Sequence, residues 1–112
     1  MADCIFCDIA SGEVPATIVE RDDGVLAFED VNPKAPLHVL VIPEQHLESV
    51  HDIQDAALLH RMHTLARRVA VARGVAEGGY RLVFNIGRDA GQSVPHAHLH
   101  LLGGRHLAWP PG

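Results

Sequence analysis

The apolar positions of this chain change period several times, and each change marks an element. Ile5, Phe6 and Ile9 stand at i, i+1, i+4, one face of a short helix over residues 3–11, with Asp3 as N-cap and Gly12 as stop. Beyond Pro15, the β-branched run Thr17-Ile18-Val19-Glu20-Arg21 predicts a strand, Asp22-Asp23-Gly24 a tight turn, and residues 25–29 the returning strand of a hairpin. A polar, proline-bearing connection (residues 30–36) leads into residues 37–42, the most apolar strand, which is stopped by Pro43 and carries one polar residue, His38. The period then lengthens. Leu58, Met62, Leu65, Val69 and Ala72 recur at 4-3-4-3 spacing and predict one long helix over residues 52–73. Asp52 is its expected N-cap, Asp55 favours its N-terminus, Arg67, Arg68 and Arg73 favour its C-terminus, and Gly74 lies beyond. Leu59, Ala66 and Ala70 widen the stripe, which suits either a deeply buried core helix or a seam between two copies of the chain. Residues 80–86 predict a fourth strand, residues 87–94 a loop, and residues 95–102 a fifth strand.

Five strands, one long helix and one short one imply an α+β fold with a five-stranded antiparallel sheet, the long helix crossing one sheet face after the third strand. A length of 112 residues allows a single domain with one modest core, and no repeat or linker divides it. Within it, residues 1–12 carry the N-terminal helix, residues 13–102 the core, and residues 103–112 an irregular tail. The composition, 47% hydrophobic and 21% charged, is that of an ordinary globular protein. A net charge of −5 and the lack of any Lys/Arg cluster argue against nucleic acid as a partner. No apolar run reaches membrane-spanning length, and the opening Ala2-Asp3-Cys4 has no basic leader, so no membrane association and a cytoplasmic location are expected. In that compartment Cys4 and Cys7 are not expected to form a structural disulfide.

The nine histidines are the compositional departure. Three of them fall in His96-Ala97-His98-Leu99-His100-Leu101-Leu102, alternating with apolar residues at period two. In an extended strand this spacing puts all three imidazoles on one face and Ala97, Leu99 and Leu101 on the other. Neighbouring imidazoles cannot all be protonated near neutral pH, so at least one is neutral and nucleophilic, its tautomer fixed by its neighbours. Imidazole is also a common metal ligand, and spacing alone leaves catalysis and metal binding equally open. Ahead of the row, Gly87-Arg88-Asp89-Ala90-Gly91-Gln92-Ser93-Val94 matches neither a P-loop nor a dinucleotide fingerprint. Its glycines can aim backbone N–H groups at an anion, which suggests a phosphate held against an imidazole. Cys4-x-x-Cys7 follows no strand, so it lacks the context of a thioredoxin-like redox motif; with two histidines it would complete a tetrahedral metal site.

Together these features resemble the histidine triad (HIT) family, and within it the Hint branch of nucleoside phosphoramidate hydrolases. The row fits the family signature throughout. Glu13-Val14-Pro15, Leu26-Ala27-Phe28-Glu29-Asp30, Ala35-Pro36-Leu37-His38, Gly91-Gln92-Ser93-Val94, Gly103-Gly104-Arg105 and Trp109-Pro110-Pro111-Gly112 extend the likeness over essentially the whole chain. The resemblance implies a HIT-like fold whose sheet continues across a homodimer. It implies hydrolysis of the P–N bond of purine nucleoside phosphoramidates, with His98 as the nucleophile and a nucleotidyl-histidine intermediate. His96, His100 and His38 would orient His98 and pass protons, and Ser93 would donate to the leaving nitrogen. The backbone of Gly91, Gln92 and Ser93 would steady the phosphate, and Asp30 would accept the ribose hydroxyls. Asn85 would lie near ribose and phosphate, Phe6, Ile9, Phe28 and Val31 would form the purine slot, and Trp109 would reach the partner subunit's site. Several bacterial members of the family, and the related galactose-1-phosphate uridylyltransferases, combine such a cysteine pair with two histidines to hold structural zinc, which by position implies Cys4, Cys7, His46 and His96 as ligands. Catalysis itself requires no cofactor in this reading. Alternatives are a dinucleoside polyphosphate hydrolase or nucleotidyl transferase of another branch, a non-catalytic nucleotide-binding adaptor, and a small zinc or redox protein.

Overall fold

A computed structural model describes residues 4–112. Among them the elements run α1 (Ile5–Ser11), β1 (Ile18–Asp22), β2 (Val25–Glu29), β3 (Leu37–Pro43), α2 (Ala56–Ala72), β4 (Tyr80–Phe84) and β5 (Leu99–Gly103), with short 3₁₀ turns at Val50–Asp52 and Arg88–Ala90. The five strands form one antiparallel sheet in the order β1-β2-β3-β5-β4. The β1–β2 hairpin closes on Asp23 and Gly24, both with positive φ (43° and 85°). That is the twist-matched two-residue turn which an Asp-Gly pair favours, and it extends β1 to Asp22, opposite Val25.

The period-two pattern sorts the sheet into two faces. Val25 and Ala27 of β2, Leu37, Val39 and Val41 of β3, and Leu99 and Leu101 of β5 pack against Leu58, Met62, Leu65, Ala66, Val69 and Ala70 of α2. On the opposite face, Leu26, Phe28, Leu40 and Ile42 pack with Cys4, Phe6 and Ile9 of α1 and its lead-in. A helix of seven residues is too short to persist alone. It stands by docking on this face and by its ends. Cys4 accepts from the backbone N–H of Cys7 (3.2 Å), and Gly12 closes the C-terminus in the left-handed region at φ 87°. The expected cap, Asp3, lies outside the described residues.

Four expectations are corrected. The long helix starts at Ala56, capped by Asp55, whose Oδ1 accepts from Ala57 N–H (3.0 Å); Asp52 belongs to the 3₁₀ turn. The cause is Ile53, which turns extended (φ −84°, ψ 110°) and buries its side chain in the core, breaking the helix between the two aspartates. At the other end Ala72 is exposed, so the buried stripe ends at Val69 and Ala70. The fifth strand is regular only from Leu99. Pro95 has no N–H to give a ladder, His96 N–H turns back to Val94 O (2.8 Å), and Ala97 N–H goes to Leu47 O (2.7 Å). Even so, Ala97 stays in the α2-facing core with Leu99 and Leu101, so the alternation survives where the ladder does not. The fourth strand likewise ends at Phe84 rather than residue 86.

Candidate active site

The α1 side of the sheet carries the histidines because they continue the same alternation. On β3, His38 precedes Leu40 and Ile42 at period two, and on β5 His100 stands on the same face. The register pairs His38 with Leu102 and Leu40 with His100, so His38 and His100 are diagonal neighbours on adjacent strands. Their rings meet with His38 Nε2 2.9 Å from His100 Nδ1. The backbone N–H of Lys34 donates to His38 Nδ1 (3.0 Å). That leaves His38 protonated at Nε2 and donating to His100 Nδ1, so His100 in turn carries its proton on Nε2. Asp30 Oδ2 is 3.4 Å from His38 Nε2, and Asp30 Oδ1 accepts from Asn32 N–H (2.8 Å). Burial lowers the pKa of His38 against the pull of Asp30. Burial and the neighbouring His98 and His38 lower that of His100 to about 4. Both are neutral near pH 7.

His98, buried in the middle of the row, donates from Nδ1 to the backbone carbonyl of His96 (2.7 Å). With its proton fixed on Nδ1, the lone pair sits on Nε2. The Phe6 ring stands edge-on to His98 at 5.2 Å between centroids, and His100 lies 5.0 Å away on the other side. His98 and His100 form the floor of a cleft of about 380 Å³ between α1, the β2–β3 connection and the loop before the row. Phe6, Ile9, Phe28 and Val31 line its apolar part, with Asp30 and Ser93 among its polar groups. Phe6 and Phe28 meet edge-to-face at 5.4 Å. The cleft can therefore take a flat apolar ring at one end and polar, acceptor-rich chemistry at the other.

Not every expected residue lines this cleft. Asn85, Gly91, Gln92 and Trp109 do not. The Gln92 side chain is engaged in shaping the loop: its Oε1 accepts from Gly87 N–H (2.9 Å), and its Nε2 donates to Glu48 O (2.7 Å) and Val94 O (3.0 Å). Trp109 is 80% exposed in a tail tied to β4 through Arg81, whose guanidinium donates to the carbonyls of Leu107 and Ala108. Conversely, Ile5 lines the cleft although its spacing marks it as core. Two further supports carry no local signal. Arg105 donates to Lys34 O through Nη2 (2.7 Å) and Nε (3.3 Å), and Gly104 lies against Pro36. Both brace the segment whose backbone N–H sets the His38 tautomer.

His96 faces a different group. It is fully buried, its Nε2 donates to Pro43 O (2.8 Å), and it does not line the cleft. Its Nδ1 lies 3.2 Å from Cys4 Sγ, 3.5 Å from Cys7 Sγ and 3.3 Å from His46 Nδ1, and Cys7 Sγ is 3.4 Å from His46 Nδ1. Four lone-pair atoms, all within 4.8 Å of one another, converge on one point. With bond lengths of about 2.3 Å to sulfur and about 2.05 Å to nitrogen, a tetrahedral zinc ion separates two nitrogens by about 3.3 Å and sulfur from nitrogen by about 3.6 Å. The donor set fits. Burial and the adjacent Cys4 push the Cys7 thiol up to about 11, so an ion bound there would have to displace protons.

An antiparallel sheet with a histidine row beneath a cleft of about 380 Å³ is the arrangement of the histidine triad class of proteins. Residues 11–107 match the HIT domain, and the chain belongs to the HIT family. It is 47% identical over 105 residues to the purine nucleoside phosphoramidase of Escherichia coli K12, covering 92% of this chain and 88% of that protein. It is 49% identical over 112 residues to an uncharacterized HIT-like protein of Synechocystis, covering 98% and 97%. Among solved structures, a HIT family hydrolase from Legionella pneumophila superposes with a TM-score of 0.94 at 50% identity, covering 98% of this chain and all of that one. A histidine triad protein from Clostridium difficile gives 0.92 at 44% identity, covering 96% of each.

Proposed function

We propose that this HIT protein is a hydrolase that cleaves the P–N bond of purine nucleoside phosphoramidates, such as adenylated amines, through a nucleotidyl-His98 intermediate. The observation that carries the proposal is the 2.7 Å hydrogen bond from His98 Nδ1 to the His96 carbonyl, which leaves Nε2 as the nucleophilic atom. In the first step the Nε2 lone pair bonds to phosphorus, the P–N bond breaks, and the amine leaves with a proton supplied through Ser93 at the cleft rim. The imidazole then carries positive charge, which the His96 carbonyl stabilises through Nδ1–H. In the second step water attacks phosphorus, the N–P bond to His98 breaks with its electron pair returning to Nε2, the water's proton passes to Ser93 to replace the one given to the amine, and the monophosphate departs. The His38–His100 pair holds its protons in place beside the reacting ring. Asp30, an acceptor-only carboxylate, suits the ribose hydroxyls, and the Phe6, Ile9, Phe28 and Val31 surface suits the purine.

Two further assignments belong to this reading. The Cys4–Cys7–His46–His96 cluster holds a structural zinc ion, which would supply a rigid tie between α1 and the histidine row. The protein works as a homodimer, supported by the exposed apolar side chains of Phe84 and Ile86 at the β4 edge and of Trp109 in the adjoining tail. The test is His98→Ala: turnover of an adenosine phosphoramidate falls on the order of 10³-fold or more while monophosphate binding persists. Parental turnover in that variant sinks the mechanism.

A further inference from the structure

The nucleophile is aimed by a backbone carbonyl, so whatever fixes that carbonyl governs the reaction. Four contacts fix it. His96 N–H donates to Val94 O (2.8 Å), and the next peptide N–H, of Ala97, donates to Leu47 O (2.7 Å). The His96 ring is tied at Nε2 to Pro43 O (2.8 Å) and at Nδ1 to the cluster of Cys4, Cys7 and His46. The first three contacts are single neutral hydrogen bonds. The fourth is the one that can become rigid, through four ligand bonds.

We infer that His46, together with Cys4 and Cys7, is a positioning residue for hydrolysis: the cluster locks the His96 ring, and the His96 carbonyl sets the tautomer and aim of His98. This inference rests on the zinc and nucleophile readings above. A neutral imidazole has two tautomers, and only the one protonated at Nδ1 offers its lone pair at Nε2. If His96 moves, the acceptor for Nδ1–H moves with it. His98 then loses both its tautomeric bias and its line of attack. The same cluster places Phe6, which lies between the two cysteines in sequence and stands edge-on to His98 at 5.2 Å and to His96 at 5.9 Å. His46 separates these effects, because it lies in the connection after β3 and not on α1. Removing it loosens His96 while α1 keeps its cysteines and its apolar packing. Groups that orient a ligand or reacting atom from behind commonly change activity by about 10- to 100-fold.

The experiment compares His46→Ala, His46→Cys and the parent protein purified without an affinity tag. Metal content, monophosphate affinity, single-turnover rate and the NMR signal of the His98 Nδ1–H proton are measured on each. His46→Ala should lose metal and bind monophosphate within about threefold of the parent. Its first chemical step should slow by about 10- to 100-fold, and the protected Nδ1–H signal should broaden or exchange away. His46→Cys, which restores a fourth ligand, should recover metal, rate and signal together. If His46→Ala folds poorly, stripping the parent protein with a chelator and reloading it with zinc reads the same quantities reversibly. A parent protein that carries no metal refutes the zinc reading and this inference with it, and full activity in His98→Ala does the same for the nucleophile reading. If both hold and His46→Ala reacts at the parental rate with an unchanged His98 signal, the positioning role is overturned even if the melting temperature falls.

Discussion

Gly104 offers a perturbation whose structural and catalytic effects can be separated. Its φ is +91°, and a Cβ added there would meet Pro36 Cβ at 2.9 Å. That neighbour belongs to a pyrrolidine ring and cannot rotate away, so Gly104→Ala must displace the segment from Lys34 to Leu37. Gly74, beyond α2, is a matched control: φ is +78°, and nothing lies within 4 Å of an added Cβ. The left-handed backbone alone costs about 1–2 kcal/mol for alanine. Unfolding entropy of about 2 cal/mol/K per residue makes each kcal/mol worth about 4 °C in a chain of this size. Gly74→Ala should therefore lower the melting temperature by about 4–9 °C and leave kcat unchanged. Gly104→Ala should lose about twice that, because overpacking adds about 1–3 kcal/mol. It should also lose several-fold in kcat, because the displaced segment carries the Lys34 N–H that fixes His38 (3.0 Å) and the Lys34 carbonyl held by Arg105. Calorimetry and steady-state kinetics on the two variants decide the matter. Equal melting losses with unchanged turnover in both would refute the claim that the 34–37 segment supports the site.

Asp30→Asn should weaken ribonucleoside monophosphate binding by about 10-fold or more, since a hydrogen bond to a charged group is worth about 1.5–3 kcal/mol. A 2′,3′-dideoxy analogue should bind parent and variant alike, and calorimetric titration that finds parental affinity for the ribonucleotide would remove Asp30 from the ribose. Stability should rise with pH between about 4 and 6.5. In that window the unfolded chain protonates histidine while folded His100, lowered to about 4, stays neutral, so acid favours unfolding. His38 and His96, also lowered, act in the same sense. His100→Asn should flatten this slope in thermal melts at a series of pH values, and an unchanged slope would contradict the burial argument.

Much of this fold was legible because its strands obey period two and its long helix a 4-3-4-3 stripe. What local pattern could not carry is seen in particular residues. Asp52 and Asp55 both precede the apolar stripe, and only the demand of the core for Ile53 selects Asp55 as the cap. The insertion of β5 between β3 and β4 leaves no mark on either segment, yet it brings His38 within 2.9 Å of His100. Cys4 and His96 lie 92 positions apart and meet at 3.2 Å; the ligand types were legible, the meeting only through the resemblance. Gln92 shows the converse. Nothing in its residue type or position marks its side chain as structural, yet three hydrogen bonds tie it to Gly87 and Val94 of the loop and to Glu48 of the connection after β3. Arg105 and Gly104 act through Lys34 and Pro36, about 70 residues away in sequence, where no spacing rule reaches.

The central claim is that His98 Nε2 attacks phosphorus. Its most direct test is rapid acid-free quenching of the parent protein with an adenosine phosphoramidate, followed by intact-mass and peptide mass spectrometry. The account predicts a transient mass gain of one adenylyl group, confined to the peptide bearing His98 and appearing before the monophosphate is released. Turnover with no adduct at any time, or an adduct on another residue, would contradict it.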